Sequence, residues 1–415
     1  MIAEIIATGD EIRTGALVDR NSAYIAEKIE NLGVTVSRHI CVGDDLAQIR
    51  ALLRETAGRA DIAIVTGGLG PTVDDLTTLA AAEAKGVELQ LDPAALETVT
   101  AFFKARHYPM SPQNRKQAFL PETADCIPNP VGTAPGFELQ IEKCLFFFMP
   151  GVPHEMKRML ADAILPAIIR LRGEKHLVTR VKTICSFGLG ESVVDEKLAD
   201  ITSEFPNIQL GLRATFPVIQ VKLYGRGENG QELDEAIVVV EKRVCDLLGD
   251  TVFSTEGHSM ARALGQLLAE KQATVAVAES CTGGLIASQL TDVPGSSDYF
   301  LFSGVTYANE AKEDILGVPH DVLVEHGAVH SEIARYMSLG ARKISGADYA
   351  IATSGIAGPD GGTDDKPVGT LCIGLATPQS SHGFRYNFPF RDRGQNKKLF
   401  ATVAMNKLRK ELLKS

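Results

Sequence analysis

The sequence lacks the cysteine pattern of a disulfide-linked or zinc-binding protein. Its seven cysteines are scattered through 415 residues, their number is odd, and no two of them form a C-x-x-C pair. A disulfide framework or a zinc site is therefore not expected, and a reducing cytoplasm is the compartment that this cysteine usage favours.

Long apolar runs and basic runs are also absent. No stretch approaches the 18 apolar residues needed to span a bilayer. The first residues, MIAEIIATGDEIRTG, have neither the basic segment nor the long apolar segment of a signal peptide. The net charge is −10, from 52 acidic and 42 basic residues, whereas a general nucleic-acid binder needs a basic stripe. We therefore expect neither a membrane partner nor direct binding of nucleic acid.

What is present indicates a globular α/β protein. Hydrophobic residues make up 45% and charged residues 23% of the chain, and its length predicts two or three domains. The first segments alternate between β-like runs at 2–7, 34–42 and 61–65 and helical patterns at 21–33 and 45–59. This β-α-β-α-β order predicts a parallel sheet covered by helices on both faces.

Two further domains are predicted after this one. Residues 176–253 follow a β-α-β-β-α order that is typical of a small α+β domain, which would act as a spacer or as the interface of a homodimer. From there the alternation of helices and strands returns. The predicted domains are therefore residues 1–170, 176–253 and 256–415.

Four unusual loops follow predicted strands of the first domain. In an open parallel sheet, ligands bind beyond the carboxyl ends of the strands, where glycines let backbone amides approach phosphate oxygens. Gly67, Gly68 and Gly70 are suited to that role, and Asp74 and Asp75 are suited to a divalent cation such as Mg²⁺. The alternative is that the glycines form turns and an aspartate caps a helix. The loops are ATGDEIRTG (7–15), TGGLGPTVDDLT (66–77), NPVGTAPGF (129–137) and MPGVPHEM (149–156).

The third domain carries candidates for nucleophilic catalysis. Ser280 lies in AESCTGG at a predicted strand-to-helix turn, and Tyr307 and Lys312 share the segment VTYANEAKEDILGV. A serine nucleophile needs a base, which a lysine of depressed pKa can supply, and a tyrosine can relay the proton. The motifs contain no histidine, so a Ser-Lys or Ser-Tyr-Lys arrangement is favoured over a Ser-His-Asp triad.

Simpler roles remain open for each of these residues. Ser280 could be a helix N-cap, and Lys312 could be a solvated helix residue. Cys281 is expected to be a small buried residue rather than a nucleophile, because nothing near it in sequence would lower its pKa.

The loops of the first domain resemble a known family. TGDEI, TGGLGPTVDDLT and PGVPHEM look like the molybdopterin-binding fold of the MoaB/MogA type, a three-layer domain with a parallel sheet. Together with GTAPGF they resemble the first domain of the bacterial CinA family, the competence/damage-inducible proteins. The resemblance implies hydrolysis of ADP-ribose at its pyrophosphate with a divalent metal, Mg²⁺ or a similar ion. It assigns the metal to Asp74 and Asp75 and the nucleotide to Thr8, Gly9, Asp10, Glu11, Asn21, Gly67, Gly68, Gly70 and Thr77.

The motifs of the third domain resemble the second part of CinA proteins. This part is also similar to the free-standing nicotinamide-nucleotide amidase, which converts nicotinamide mononucleotide (NMN) to nicotinate mononucleotide and ammonia without a cofactor. The resemblance implies that Ser280 attacks the amide carbon while Lys312, Tyr307 and Ser297 assist. It also implies a substrate pocket formed by Thr282, Gly283, Gly284, Thr353, Ser354, Gly358 and Arg393.

One stretch departs from the family pattern. The family often has Gly-Asp-Arg followed by a second arginine, whereas this chain has Arg391-Asp392-Arg393 followed by Lys397. A lysine binds phosphate as a point charge rather than as a two-pronged donor, so affinity for the ligand could differ.

The leading hypothesis is a cytoplasmic hydrolase with two activities in pyridine-nucleotide recycling. Its ligands would be NMN in the third domain and ADP-ribose in the first. One alternative is a molybdopterin- or nucleotide-binding protein of cofactor synthesis, and another is a non-catalytic partner protein in competence or DNA damage.

Overall fold

The structure is a computed structural model that describes residues 1–173 and 178–414. It divides into two compact units, residues 1–180 with 225–234 and residues 181–224 with 235–415. Residues 176 and 177 of the predicted middle domain, and residue 415 of the predicted third domain, lie outside the described residues.

The first unit contains the N-terminal α/β domain. The last two helices of this domain are joined by a π-helical turn at Leu160–Ile164. Pro166 follows that turn, and a proline lacks the N–H that a regular helical hydrogen bond requires. The elements are β1 (Ile2–Thr8), α1 (Asp10–Arg13), α2 (Arg20–Glu30), β2 (Thr35–Val42), α3 (Leu46–Ala57), β3 (Ile62–Thr66), α4 (Thr77–Lys85), β4 (Leu89–Leu91), α5 (Pro93–Ala105), β5 (Phe119–Pro121), β6 (Asp125–Ile127), β7 (Gly136–Ile141), β8 (Cys144–Met149), α6 (Pro153–Met159) and α7 (Leu165–Arg172).

The main sheet of this domain has the strand order β2-β1-β3-β8-β7-β6. Strands β2, β1, β3 and β8 are parallel, whereas β7 is antiparallel to both of its neighbours. One apolar core involves α3 and α4 on one face, and another involves α2, α6 and α7 on the other face. The predicted three-layer α/β domain is confirmed, but its sheet is mixed rather than parallel. The reason is the connection between β7 and β8, which is only Glu142 and Lys143 and can join only antiparallel strands.

This topology brings the four predicted loops to one edge of the sheet. Strands β1, β3 and β8 end there because they are parallel. Strand β6 also ends there, because β6 and β8 are both antiparallel to β7. Residues 128–135, which connect β6 to β7, therefore lie beside the loops that follow β1, β3 and β8.

The middle segment forms a four-stranded sheet with the order β10-β11-β9-β12. The predicted β-α-β-β-α order is present, except that the first helix is divided near residues 199 and 200 and a short strand, β12, follows the last helix. The elements are β9 (Val178–Phe187), α8 (Glu191–Leu198), α9 (Ile201–Glu204), β10 (Ile208–Thr215), β11 (Val218–Gly227), α10 (Gly230–Leu248) and β12 (Val252–Ser254).

The C-terminal segment forms a second α/β domain with three layers. Its elements are α11 (Met260–Glu270), β13 (Val275–Glu279), α12 (Leu285–Thr291), β14 (Phe300–Val305), α13 (Asn309–Leu316), α14 (His320–His326), α15 (Ser331–Ser345), β15 (Tyr349–Gly355), β16 (Thr370–Ala376), β17 (Ser381–Asn387) and α16 (Arg393–Leu412).

The sheet of this domain has the order β14-β13-β15-β16-β17. Strand β13 is fully buried and pairs in parallel with β14 and β15, so these three strands end at the same edge. Strands β16 and β17 are antiparallel. Helices α11, α12 and α16 cover one face, and α13, α14 and α15 cover the other.

A histidine pair lies at the start of α15. The rings of His326 and His330 stack with their centroids 4.2 Å apart. Nδ1 of His330 accepts a hydrogen bond from the backbone N–H of Glu332 at 3.2 Å, which caps the helix and requires this nitrogen to be unprotonated. Burial lowers the pKa of His330. The nearby His326, Lys366 and Arg385 side chains lower this pKa further, and Glu332 raises it.

This geometry predicts a loss of stability in mild acid. Because the pKa of His330 is lower in the folded chain, its contribution to stability is complete above a pH of about 6.5 and is lost as the pH falls below that value through the lowered pKa. Protonation also removes an N-cap worth about 1 kcal/mol, or ~2–4 °C in a domain of this size. The His330→Asn variant keeps a capping side chain that does not titrate. Its midpoint of thermal unfolding should fall less than that of the unmodified chain between about pH 8 and about pH 5.5. An equal fall of the unfolding midpoint in both proteins would show that His330 is not the source of the acid sensitivity.

Candidate functional site

Ser280 begins a tight turn at the carboxyl end of β13. Its backbone N–H donates to the carbonyl of Thr353 at 2.9 Å, which joins the turn to the end of the neighbouring strand β15. Gly283 and Gly284 follow with φ of 60° and 88°, a left-handed conformation that side chains other than hydrogen disfavour. Ser280 is half-buried, and its hydroxyl makes no hydrogen bond to another residue that the structure describes.

The turn presents backbone N–H groups that have no acceptor. Among the described residues, the N–H groups of Cys281, Thr282 and Gly284 make no hydrogen bond. The N–H of Gly283 is engaged, because it donates to the carbonyl of Ser280 at 3.1 Å. Successive free N–H groups in such a turn form a concave site for an anion. Of the two glycines predicted to line the substrate pocket, Gly284 therefore has a free N–H, whereas the N–H of Gly283 is used within the turn.

Lys312 lies under the neighbouring turn that follows β14. Its side chain is only 1% exposed, and Nζ donates to the carbonyls of Thr306, Tyr307 and Ala308 at 2.9, 2.9 and 3.3 Å. Burial lowers the pKa of Lys312, and the nearby Cys281 and Glu310 side chains raise it. The solvated role is therefore wrong for Lys312, which instead shapes the turn that carries Tyr307.

Two cationic side chains of α16 reach the same edge. Arg393 donates from Nη1 to the carbonyl of Gly358 at 3.0 Å and from Nη2 to the Tyr307 hydroxyl at 3.3 Å. A Cβ added to Gly283 would lie 3.4 Å from Nζ of Lys397, so this ammonium group flanks the Ser280 turn. The structure thus brings Tyr307, Arg393 and Lys397 to the edge where Ser280 lies.

Other candidate residues hold the site rather than open onto it. Thr282 and Thr353 are fully buried and share a hydrogen bond of 2.7 Å between their hydroxyls. The Ser354 hydroxyl donates to the carbonyl of Ala328 at 2.6 Å. Burial raises the pKa of the Cys281 thiol to about 12, in agreement with a packing role. Ser297 is exposed, and none of its described hydrogen bonds joins it to the other candidates.

The N-terminal loops converge at the carboxyl edge of their own sheet. The hydroxyls of Thr8 and Thr77 are 3.1 Å apart, and the N–H of Thr77 donates to the carbonyl of Gly68 at 3.2 Å. Asn21 donates to the carbonyl of Gly151 at 2.7 Å, which joins α2 to the loop after β8. Gly67 and Gly68 have φ of 108° and 66°, whereas the N–H of Gly9 is engaged with the carbonyl of Val42.

Carboxylates gather at this edge, and one of them was not predicted from the sequence. Asp44 follows β2, and its Oδ2 accepts a hydrogen bond from the N–H of Asp10 at 3.0 Å. Burial raises the pKa of Asp44, and the negative charges of Glu11, Asp10 and Asp74 raise it further. The signal was available in the sequence, because Asp44 follows a predicted parallel strand.

Asp75 has a structural role. Its Oδ2 accepts hydrogen bonds from the backbone N–H and the hydroxyl of Thr72, and a Cβ added to Gly70 would meet the same carboxylate. Lys116 donates to the carbonyls of Thr72 and Asp75 at 2.5 and 2.9 Å. Asp75 therefore builds the loop, whereas Asp74 is exposed.

The carboxylates fit a cation that is shared with a bound phosphate. Within residues 1–173 and 178–414, no group of three or more His, Cys, Asp or Glu side chains could hold a metal alone. Mg²⁺ at phosphate sites is usually held by one or two carboxylates together with phosphate oxygens. Asp44 and Asp74 meet that requirement.

In the described part of the chain, no helix has the length and apolar character needed to cross a membrane.

Comparison with known domain families matches three parts of the chain. Residues 4–170 match the family described as "Probable molybdopterin binding domain". Residues 181–254 match the "Damage-inducible protein CinA KH domain", and residues 257–412 match the "CinA C-terminal domain". The predicted α/β class with an N-terminal domain of the MoaB/MogA type is confirmed, and the middle α+β domain is KH-like.

Relatives align with the chain over its whole length. A CinA-like protein of Desulfosudis oleivorans is 49% identical over 413 residues, which cover 100% of both chains. A CinA-like protein of Desulforapulum autotrophicum is 49% identical over 423 residues, covering 100% of this chain and 99% of its own. A solved structure, described as the protein CinA with unknown function from Thermoplasma acidophilum, is 36% identical and covers 40% of this chain and 98% of its own, with a TM-score of 0.38. The agreement with full-length relatives establishes that the chain belongs to the CinA family.

Proposed function

We propose that the chain is a cytoplasmic hydrolase with two activities, an NMN amidase in the C-terminal domain and a metal-dependent ADP-ribose pyrophosphatase in the N-terminal domain. The observation that carries the first activity is the convergence of Ser280, Tyr307 and Arg393 where three parallel strands end. This edge combines a nucleophile, free backbone N–H groups and two cations. Such a set of groups suits a substrate that carries both an amide and a phosphate.

In the proposed reaction, the Ser280 hydroxyl oxygen attacks the carboxamide carbon of NMN and loses its proton to the Lys312 amine, directly or through Tyr307. Free N–H groups of the turn, among them that of Gly284, stabilise the oxyanion of the tetrahedral intermediate. Collapse of the intermediate breaks the C–N bond, and the nitrogen leaves as ammonia after it takes up that proton. Water then hydrolyses the acyl-serine to nicotinate mononucleotide and restores Ser280.

This reaction places a requirement on Lys312. A neutral amine keeps two N–H donors and one lone pair, so it can retain only two of its three carbonyl contacts. The contact with Ala308 is the longest, at 3.3 Å, and is the one that proton transfer would release. Burial favours the neutral amine because it lowers the pKa of Lys312.

Arg393 and Lys397 are the proposed partners of the substrate phosphate. Both lie on α16 at the edge of the site, and neither forms an ion pair with a carboxylate among residues 178–414. An arginine can bind a phosphate with two parallel hydrogen bonds, whereas a lysine supplies a point charge.

For the N-terminal domain, we propose that Asp44 and Asp74 hold a divalent cation shared with the pyrophosphate. When bound, the cation would neutralise phosphate charge as a Lewis acid. Gly67 and Gly68 would let the backbone approach the phosphates, and Thr8 and Thr77 would fix the relative positions of the two loops.

Replacing Ser280 tests the amidase assignment. The Ser280→Ala variant should lower ammonia release from NMN by at least about 10³-fold, because the covalent path is lost. Ammonia is measured by a coupled assay and nicotinate mononucleotide by chromatography. Ser288→Ala, an exposed serine on the following helix α12, is the matched control and should leave activity unchanged. Full activity in Ser280→Ala would refute this nucleophile.

Replacing Asp44 tests the metal assignment. Asp44→Asn should lower Mg²⁺-dependent release of AMP from ADP-ribose by about a hundredfold, because a cation ligand and its charge are lost. The control is Asp125→Asn, an exposed residue at the opposite edge of the same sheet, which should retain activity. Equal activity in the two variants would exclude Asp44 from the site.

A second candidate function for the N-terminal domain is the binding of molybdopterin, which the matched domain family favours. Calorimetric titrations of the full chain with molybdopterin and with ADP-ribose plus Mg²⁺ separate the two. Tighter binding of ADP-ribose supports the pyrophosphatase, and binding of molybdopterin alone would replace it.

A role as a DNA-binding partner is less well supported. The KH-like segment 181–254 has seven basic and twelve acidic residues, a net charge of −5. Several of its cations are paired, as in the ion pairs Lys182–Glu241 and Arg243–Glu204. A net negative charge does not favour binding of a phosphate backbone. Its role as a spacer or homodimer interface stays a prediction.

A further inference from the structure

Glu279 is a fully buried carboxylate beside the candidate nucleophile. It is the last residue of β13, its exposure is 0%, and Ser280 follows it directly. Its Oε2 accepts a hydrogen bond from the N–H of Ile286 at 3.1 Å, and its Oε1 accepts one from the N–H of Ala287 at 2.9 Å. One side chain therefore joins the end of β13 to the first turn of α12.

These hydrogen bonds close the turn that carries Ser280. A buried carboxylate is costly unless it is paired, and two charge-assisted bonds from a helix N-terminus compensate for the lost hydration. The bonds also satisfy amides of the helix and leave those of Cys281, Thr282 and Gly284 as the unpaired groups of the turn. Glu279 thus pairs amides at the start of the helix, whereas the amides of the preceding turn stay unpaired.

The turn has little stiffness of its own. Gly283 and Gly284 adopt left-handed conformations and contribute no side chains to packing. The start of the turn is joined to Thr353. The carbonyl of Thr353 accepts a hydrogen bond from the N–H of Ser280, and its hydroxyl shares one with the hydroxyl of Thr282. Without Glu279, the N–H groups of Ile286 and Ala287 in the first turn of α12 would lose their side-chain acceptor.

We propose that Glu279 is the positioning residue of the amidase site, which sets the place of Ser280 and of the free amides without touching substrate. This inference rests on the proposed amidase function. Displacement of a catalytic group by about 1 Å can lower a rate by ~10²-fold, whereas the groups proposed to hold the phosphate lie on α16 and are not attached to Glu279. The signature of a positioning role is therefore a loss of kcat with little change in KM.

Glu279→Gln tests this signature with minimal change in volume. The glutamine amide offers one oxygen acceptor, and its NH₂ group faces the second backbone N–H, so one helix amide loses its partner. We expect kcat for ammonia release from NMN to fall about tenfold to a hundredfold while KM changes less than about threefold. An unchanged kcat, or a rise in KM alone, would overturn the proposal.

Asp348→Asn is the matched control. Asp348 precedes β15, and its Oδ2 accepts hydrogen bonds from the N–H and the hydroxyl of Thr274 at 2.9 and 2.7 Å, at the opposite end of the same pair of strands. The Asp348→Asn variant removes a half-buried carboxylate of the same domain that also accepts two hydrogen bonds, and it leaves the Ser280 turn intact. A similar fall of kcat in both variants would show a general loss of stability and would refute a positioning role for Glu279.

Amide hydrogen exchange separates this inference from the proposed function. In the unliganded full chain, Glu279→Gln should accelerate exchange of the peptide covering residues 281–287, and Asp348→Asn should not. If the unmodified chain releases no ammonia from NMN, the amidase proposal fails, and the exchange result still decides the role of Glu279. Unaltered exchange in Glu279→Gln refutes that role whatever the activity. Should this variant not fold, Glu279→Asp, whose shorter carboxylate cannot span both amides, carries the same test.

Discussion

Parallel pairing of β13 with β14 and β15 is the constraint on which the C-terminal site depends. Parallel strands end at one edge of a sheet, so three segments far apart in the chain meet there. Each segment supplies a different kind of group: the Ser280 turn, the Tyr307 turn with the buried Lys312, and the loop that includes Gly358. The N-terminal domain uses the same geometry at the ends of β1, β2 and β3.

The site is preorganised by buried polar groups whose hydrogen bonds are satisfied. Three of these side chains are almost fully buried, those of Lys312, Glu279 and Thr353. Their polar atoms form hydrogen bonds with backbone groups or with another buried side chain. An unpaired buried polar group is costly, so these contacts fix the turns more firmly than exposed contacts would. The free N–H groups beside Ser280 are then the exception, as expected where a ligand supplies the missing acceptor.

The residues of the candidate site could be proposed from the sequence, whereas the hydrogen bonds between them could not. Ser280, Tyr307 and Lys312 could be proposed from residue chemistry and from the rule that loops at strand ends bind ligands. The engaged N–H of Gly283 could not, because it depends on the backbone dihedral angles of one turn. Glu279 was passed over as the end of an apolar run, since its importance lies in contacts seven and eight residues further along the chain.

The fold was predictable where apolar periodicity is strong and less so elsewhere. The buried strands β1, β3 and β13 were clear, whereas β17 was missed because SHGFRYN is a half-exposed edge strand without an apolar run. The mixed character of the first sheet was also missed, since it follows from a connection of only two residues between β7 and β8. Asp44 was not predicted, because its place at the site depends on a contact with Asp10, which lies 34 residues earlier in the chain.

The most direct test of the central claim is to incubate the full chain with NMN in ¹⁸O-labelled water and to identify the products by mass spectrometry. The account predicts nicotinate mononucleotide with one solvent oxygen in its carboxylate, together with an equal amount of ammonia. Unchanged NMN, or free nicotinamide from cleavage of the bond to ribose, would contradict it.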